Sequence, residues 1–161
     1  MEAIKLLESQ HDEVDTLFAQ YEKAQNATQK LEVFRQLADA LTAHAAIEER
    51  LFYPAVFVGE LKEQLVEAME DHLRVKRLIS ELLKLGPVEP QFEAQMKVLQ
   101  DEVETHVGEE EDVLFPLVKE TLLKYELEAL GEAMEELYED LISGAIPSED
   151  LADSGDDANP G

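Results

Sequence analysis

Apolar residues recur along the chain at alternating spacings of three and four, which places them on one face of an α-helix. Four such stripes follow one another. They consist of Ile4, Leu7, His11, Val14, Phe18 and Tyr21; of Phe34, Leu37, Leu41, His44, Glu48, Leu51 and Ala55; of Leu61, Leu65, Ala68, His72, Val75, Ile79 and Leu82; and of Phe92, Met96, Leu99, Val103, His106, Glu110, Val113 and Leu117. Stripes of this kind pack together in the core of a helix bundle, so the pattern predicts an all-α fold.

Residues that favour turns separate the stripes, at 26–28, near Gly59 and at 86–90. Each of these positions lies midway between two successive histidines, so folding the chain at all three brings the histidines to one height. The turns therefore predict an up-down-up-down four-helix bundle over about residues 1–122. The histidines would lie deep in it, roughly 20–25 Å from the turns at a rise of about 1.5 Å per residue.

A fifth helix is predicted at about residues 122–143, and with the bundle it completes one domain over residues 1–143. Its apolar positions are Leu127, Leu130, Met134, Leu137 and Leu141. This stripe would cover the bundle; the alternative is a short seam for a homodimer through residues 127–141. Residues 144–161 are acidic and small, which predicts a disordered tail.

The charge of the chain is strongly negative, at −25 from 13 basic and 38 acidic residues. This balance disfavours nucleic acid and anionic membranes as partners. The absence of cysteine excludes disulfides, thiolate metal ligands and cysteine nucleophiles. The N-terminal segment does not resemble a signal peptide, and no apolar run reaches the ~18 residues of a membrane span. We therefore expect a cytoplasmic protein.

Every histidine of the chain lies on an apolar stripe, and two of them are followed by a glutamate one helical turn later. These pairs are His44 with Glu48 and His106 with Glu110. A carboxylate buried without a partner costs several kcal/mol, and few cationic residues lie on the stripes. A metal ion would satisfy all of these groups, and imidazole with carboxylate suits iron, zinc or manganese.

Two ions bridged by Glu48 and Glu110 would account for this ligand set, with His11 and His44 on one ion and His72 and His106 on the other. The alternative is that the histidines are hydrogen-bonded packing residues, because a single His-x-x-x-Glu motif is weak evidence in a chain rich in glutamate. The internal repeat of residues 11–56 and 72–118 favours the metal. Both halves have the Glu-Glu doublet and a later aromatic-Pro pair, and the second histidine follows the first by 33 residues in one half and by 34 in the other.

The pattern resembles the hemerythrin-like HHE cation-binding domains over about residues 5–120. That resemblance implies a four-helix bundle with a non-haem di-iron pair, oxo- or hydroxo-bridged, and with Glu48 and Glu110 as bridging ligands. Hemerythrins carry a second histidine one turn after the position of His72, where this chain has Lys76. The departure implies a symmetric six-ligand site with more open coordination positions.

Some residues close to the motifs have two interpretations. Glu109 and Glu8 are candidates for an extra carboxylate ligand, but the simpler interpretation is that they are solvated. Glu49 and Glu111 lie about 100° around the helix from the bridging pair and should face outward, from where they could still orient a ligand histidine. Tyr21 is either a core residue or a hydroxyl donor beside the metals.

Three functions remain open from the sequence. The first is a di-iron protein that binds or senses a small ligand, namely oxygen, nitric oxide or iron itself. The second is a redox enzyme such as a peroxidase, a ferroxidase or a nitric oxide reductase-like stress protein, for which peroxide is a further ligand. The third is a regulatory interaction module whose folding depends on the metal.

Overall fold

The structure is a computed structural model that describes residues 1–144, and it confirms the predicted all-α bundle with an extra C-terminal helix. The predicted tail lies outside the described residues apart from Gly144. The elements in chain order are α1 (Ala3–Lys23), α2 (Ala27–Ile47), a π-helical segment (Glu48–Phe52), α3 (Tyr53–Val56), a 3₁₀ turn (Gly59–Leu61), α4 (Lys62–Leu85), α5 (Pro90–Glu109), a second π-helical segment (Glu110–Leu114), α6 (Phe115–Thr121) and α7 (Lys124–Ser143).

The ends of the long helices lie where the turn residues predict them. The Asn26 side chain accepts a hydrogen bond from the Gln29 amide at 2.9 Å and so caps the start of α2. Gly86 ends α4 with a φ of 79°, a conformation that costs glycine little, and Pro90 occupies the first turn of α5. These caps fix the lengths of the helices and thereby hold the four histidines at one level.

The bundle core consists of two apolar clusters, with the histidine layer between them. One cluster is built around Phe34, Leu82, Phe92 and Leu99, at the end of the bundle that holds the 86–89 turn. The other contains residues from α1, α4, the π-helical segments and α7. Its largest fully buried members are Ile4, Leu7, Ile47, Phe52, Leu65, Phe115 and Met134. Polar groups in the layer are therefore walled off by apolar side chains above and below.

The predicted second and fourth stripes are wrong at their C-terminal ends. Ala55 and Val113 are exposed and Leu51 and Leu117 are only partly buried, whereas the residue after each of these four is buried. Those residues are Phe52, Val56, Leu114 and Val118. The cause is the π-helical geometry of Glu48–Phe52 and Glu110–Leu114, because a turn with i→i+5 hydrogen bonds holds one extra residue and rotates everything after it.

Helix α7 packs against α1, α2 and the first π-helical segment. Three of the five residues of its predicted stripe are buried in that contact, namely Leu127, Met134 and Leu141, and the other two are partly buried. The stripe therefore covers the bundle. A homodimer through this helix stays a prediction. No helix among residues 1–144 combines the length and the apolar character that crossing a membrane requires.

Gly131 allows α7 to approach the start of α1. A Cβ atom at this position would lie 2.1 Å from the Met1 carbonyl oxygen and 2.7 Å from the Ala3 nitrogen, both of them backbone atoms. We expect Gly131→Ala to lower the free energy of unfolding by about 1–3 kcal/mol, measured by urea denaturation.

Gly108→Ala is the matched control for this prediction, since a Cβ there meets nothing within 4 Å. It should leave stability unchanged or raise it by up to ~1 kcal/mol through helix propensity. Equal effects of the two substitutions would show that α7 does not dock as described.

Candidate metal centre

All six predicted site residues lie in one buried layer. Four are the histidines, with exposed fractions of 3–7%, and the other two are Glu48 at 0% and Glu110 at 2%. Helices α1, α2, α4 and α5 each contribute one histidine, and each glutamate is the first residue of a π-helical segment. A π-helical turn inside a long helix is a frequent feature of functional sites, where it re-aims a side chain.

The four histidines divide into the two predicted pairs, but of the two glutamates predicted to be shared by both groups only Glu48 is shared, and Glu110 joins the first group alone. Potential ligand atoms of His11, His44, Glu48 and Glu110 lie within 4.8 Å of one another, and so do those of Glu48, His72 and His106. Glu48 belongs to both groups, as a bridging carboxylate would. That these residues are metal ligands stays a prediction, but the structure brings all of them together.

The Nε2 atoms of the histidines face the two carboxylates. His72 Nε2 lies 3.1 Å and His44 Nε2 lies 3.3 Å from Glu48 Oε1. His11 Nε2 lies 3.2 Å and His106 Nε2 lies 3.5 Å from Glu110 Oε1. Each glutamate therefore meets one histidine from its own helical hairpin and one from the other, which is a two-fold arrangement of the repeat.

Each histidine forms a hydrogen bond through its Nδ1 atom, on the side of the ring away from the centre, with a different side chain. The Nδ1–partner distances are 2.7 Å for His11 to Glu111, 2.6 Å for His44 to Gln10, 2.8 Å for His72 to Glu49 and 2.9 Å for His106 to Asp71. An acceptor at Nδ1 fixes the tautomer with its free Nε2 lone pair directed at the centre, which is the form that binds a metal.

Two of these partners, Gln10 and Asp71, were not predicted from the sequence. Each directly precedes the first histidine of its repeat, and this symmetry is the signal that could have revealed them. Glu49 and Glu111 are partly buried rather than outward-facing, and they orient histidines as the alternative interpretation allows. Among the described residues, neither Glu8 nor Glu109 joins a candidate ligand group.

Several buried atoms at the centre make no hydrogen bond of regular geometry, although Nε2 of His11 and of His44 each lie within 3.3 Å of a carboxylate oxygen. They are His11 Nε2, His44 Nε2, Glu48 Oε1, Glu48 Oε2 and Glu110 Oε1. Buried polar atoms without partners are costly and rare in folded proteins. Metal ions would satisfy all five, and imidazole nitrogens with carboxylate oxygens form a suitable donor set. The residues present therefore fit a metal.

Without metal, protons on His11 and His72 balance the charge of the buried carboxylates. Burial by itself lowers the pKa of His11, but contact with Glu110 and its charge more than reverse this and raise the pKa to about 9. Burial likewise opposes the charged form of His72, yet Glu48 and Glu49 raise its pKa to about 10. Burial favours a neutral Glu48, but His44 and His72 hold its pKa well below the usual range.

Tyr53 breaks the symmetry of the centre. Its hydroxyl donates a hydrogen bond to Glu110 Oε2 at 2.6 Å and lies 3.3 Å from His72 Nε2. The corresponding aromatic residue of the other half is Phe115, which has no hydroxyl. Burial and the nearby carboxylates raise the pKa of Tyr53 well above 10, so it stays a phenol. Tyr21, by contrast, lies in the core cluster that contains Phe92, and its hydroxyl donates a hydrogen bond to Glu93 at 3.0 Å rather than to a group of the metal centre.

An apolar cavity of about 40 Å³ opens against the histidines on the side away from Tyr53. All four histidines line it, and its other walls include Val14, Leu41, Val75, Ile79 and Val103. This volume exceeds the ~10–15 Å³ that a single water molecule requires. The cavity therefore suits a molecule of a few atoms.

The family profile described as the hemerythrin HHE cation binding domain matches residues 2–118. The chain belongs to this family. A hemerythrin HHE cation binding domain-containing protein from Mycobacterium kansasii has a similar crystal structure, with a TM-score of 0.82 and 27% identity. That similarity covers 96% of this chain and 94% of the other. This HHE domain belongs to a cation-binding family, and its buried histidines and glutamates form two groups that could hold a metal ion.

A curated relative described as a DNA nickase, from Nostoc sp., is 33% identical over 114 residues. The match covers 70% of this chain but only 32% of that protein. The HHE domain thus corresponds to about a third of the relative's length.

Asp71 offers a direct test of the groups that hold the histidines. We expect Asp71→Asn to weaken metal binding by about tenfold and Asp71→Ala by up to about 100-fold, because His106 loses first the charge and then the acceptor at its Nδ1. A competition titration with a chromophoric chelator measures both affinities.

Asp101→Asn is the control, since Asp101 is an exposed acid on α5 whose ion pair is with Lys97. It should leave the affinity unchanged. An equal loss in Asp101→Asn would mean that net charge, and not the orientation of His106, controls binding.

Proposed function

We propose that this HHE domain binds two non-haem iron ions in the histidine layer and uses them to bind or sense a small ligand, oxygen or nitric oxide. One observation carries the proposal: the Nε2 atoms of four histidines and two buried carboxylates converge beside an apolar cavity, and five of these buried polar atoms make no hydrogen bond of regular geometry, namely Nε2 of His11 and His44, both oxygens of Glu48 and Oε1 of Glu110. The family supports cation binding, and the choice of iron is our own inference.

The side chains would divide the work of holding the ions. His11 and His44 would hold one ion, His72 and His106 the other, and Glu48 and Glu110 both. When bound, the iron pair supplies open coordination positions and reversible redox chemistry. The four imidazoles are kept aimed at the centre by their Nδ1 contacts with Glu49, Glu111, Gln10 and Asp71. The site is therefore organised before any metal binds.

The surroundings favour a small, uncharged ligand. The cavity beside the histidines has a volume of about 40 Å³, and its walls are mostly valine, leucine and isoleucine, with Thr42 and Lys76 also in the lining. A mostly apolar wall offers few hydrogen bonds to an ionic substrate, whose desolvation would then cost several kcal/mol. Diatomic gases carry no such cost, and they fit the volume.

A redox enzyme that acts on peroxide is the second candidate, and Tyr53 favours it. The phenol lies 2.6 Å from Glu110 Oε2, so the centre has a proton donor on one side. General acid catalysis requires such a group within hydrogen-bond reach of the reacting atoms.

DNA nicking is not part of the proposal, because the chain spans 32% of the relative's length and carries a charge of −25 that repels phosphate.

Iron reconstitution under anaerobic conditions tests the proposal. We expect two irons per chain, by metal analysis, and an optical spectrum that changes on addition of air or nitric oxide. A stable complex with either gas would support binding or sensing. Rapid turnover of peroxide that slows in Tyr53→Phe would support the enzyme instead. Failure to retain any iron, with zinc bound in its place, would contradict both.

A further inference from the structure

The two halves of the repeat differ on their outer faces beside the metal layer. When His11 is aligned with His72 and His44 with His106, Ala3 and Leu6 correspond to Gln64 and Glu67. Ile47 likewise corresponds to Glu109. The first half is therefore apolar at positions where the second half is polar or acidic.

Helix α7 accounts for the apolar face of the first half. Ala3, Leu6 and Ile47 are buried in the same cluster as Leu127 and Met134 of α7. This contact seals the first half of the layer from solvent. On the corresponding face of the second half, Glu67 and Glu109 are exposed, because the main contacts of α7 are with α1, α2 and the first π-helical segment.

On the second half, a cavity of about 260 Å³ lies at this uncovered face. We call it the acidic mouth; its lining is Gln64, Glu67, Ala68, Glu109, Val113 and Leu114, with His106 and Glu110 also lining it. Glu67 and Glu109 are exposed, whereas His106 and Glu110 have exposed fractions of 7% and 2%. The cavity thus connects solvent with two predicted ligands.

Two buried oxygens of residues that line the mouth accept no hydrogen bond of regular geometry. They are Oε1 of Gln64 and Oε1 of Glu110, and the second belongs to a side chain that is almost completely buried. Acceptor oxygens without donors are suited to a cation or its water ligands. The 40 Å³ cavity beside the histidines has mostly apolar walls, and a hydrated cation would lose its water there with little replacement.

We propose that the acidic mouth is the route by which divalent cations reach the histidine layer. Glu67 and Glu109 attract the hydrated ion, Gln64 offers the next oxygen, and Glu110 with His106 receives the ion at the inner end. The inference rests on the proposed metal binding and deepens it: cations enter through the second half, while a gas reaches the same histidines through the apolar cavity.

Loading kinetics test this route without reference to activity. Metal-free protein is mixed with cobalt(II) in a stopped-flow instrument, and the visible absorption of bound cobalt is followed. We expect Glu67→Gln/Glu109→Gln to load about tenfold more slowly than the unmodified chain, with a weaker dependence on salt and the same final stoichiometry. Glu67→Lys/Glu109→Lys should load more slowly still.

Glu81→Gln/Glu104→Gln is the matched control, because it removes two exposed carboxylates from the same two helices without touching the mouth. It should load at the unmodified rate. Unchanged loading in the mouth variants, or equal slowing in the control, would overturn the proposed route. So would a lower stoichiometry at an unchanged rate, since Glu67 and Glu109 would then be ligands. If neither the unmodified protein nor any variant bound metal, the proposed function itself would be refuted.

Discussion

Replacing Glu48 by glutamine is expected to abolish stoichiometric binding of both metal ions. Glu48 is fully buried and belongs to both candidate ligand groups, so each ion would lose a ligand at once. The substitution keeps the volume of the side chain but replaces an anionic oxygen with an amide. If four ligands supply roughly 10–16 kcal/mol, each lost ligand costs about 3 kcal/mol, or on the order of 100-fold in affinity per ion. Metal analysis after desalting measures the retained ions.

Glu49→Gln is the control for this prediction because Glu49 is the next residue and contacts only the outer Nδ1 atom of His72 and the Lys76 ammonium group. It should retain both ions with a reduced affinity for one. Circular dichroism establishes that both variants stay helical. Retention of two ions by Glu48→Gln would refute the bridging role and return the histidines to the packing interpretation.

The fold could be predicted because the helical stripes and the turn residues are local signals that agree with one another. Phe34, Leu37 and Leu41 mark a face of α2 at the correct spacing, and the caps at Asn26 and Gly86 end the helices at matching heights. Placing the histidines at one level required only the assumption that the turns are short. The burial of all four follows from that geometry.

The π-helical segments could not be predicted, because their cause is not local. A turn with an extra residue is less favourable than a regular α-helical turn, and nothing in the sequence Glu48–Phe52 itself demands it. Its benefit arises in the assembled bundle, where Glu48 reaches the centre and Glu49 simultaneously reaches His72 on α4. Regular periodicity therefore places Leu51 and Ala55 on the buried face, whereas the structure places Phe52 and Val56 there.

The groups behind the histidines were partly visible in the sequence. The sequence predicted that Glu49 and Glu111 face outward, with the orientation of a ligand histidine as the alternative, and the structure shows the alternative for both. Gln10 and Asp71 share a position but not a residue type, so the repeat does not mark them by identity. Tyr53 was hidden for a different reason: its role depends on a long-range contact with Glu110 that only the packed bundle defines.

The metal-free protein is expected to lose several kcal/mol of stability as the pH rises from about 6.5 to 10. Its buried carboxylates depend on protonated His11 and His72, whose pKa values are raised to about 9 and about 10. A histidine with a raised pKa in the folded state contributes its full stabilisation below the unfolded value of about 6.5, and that contribution disappears as the pH passes the folded value. Each pKa unit corresponds to about 1.4 kcal/mol.

Urea unfolding of the metal-free protein at pH 6, 8 and 10 measures this loss. Glu48→Gln/Glu110→Gln should show a flatter profile, because the charges that raise the two pKa values are gone. A flat profile in the unmodified chain would mean that its histidines are neutral without metal.

The same protons link stability to metal binding. A histidine must be neutral at its metal-binding nitrogen, so an ion that binds at pH 7.5 has to displace the protons on His11 and His72. We expect loading of both sites to release about two protons per chain, which calorimetry detects as a heat that varies with the ionisation enthalpy of the buffer. The affinity for metal should accordingly rise with pH, while the metal-free protein becomes less stable. At high pH, bound metal would therefore replace the histidine protons in balancing the charges of Glu48 and Glu110. Heats that were independent of the buffer would contradict this exchange.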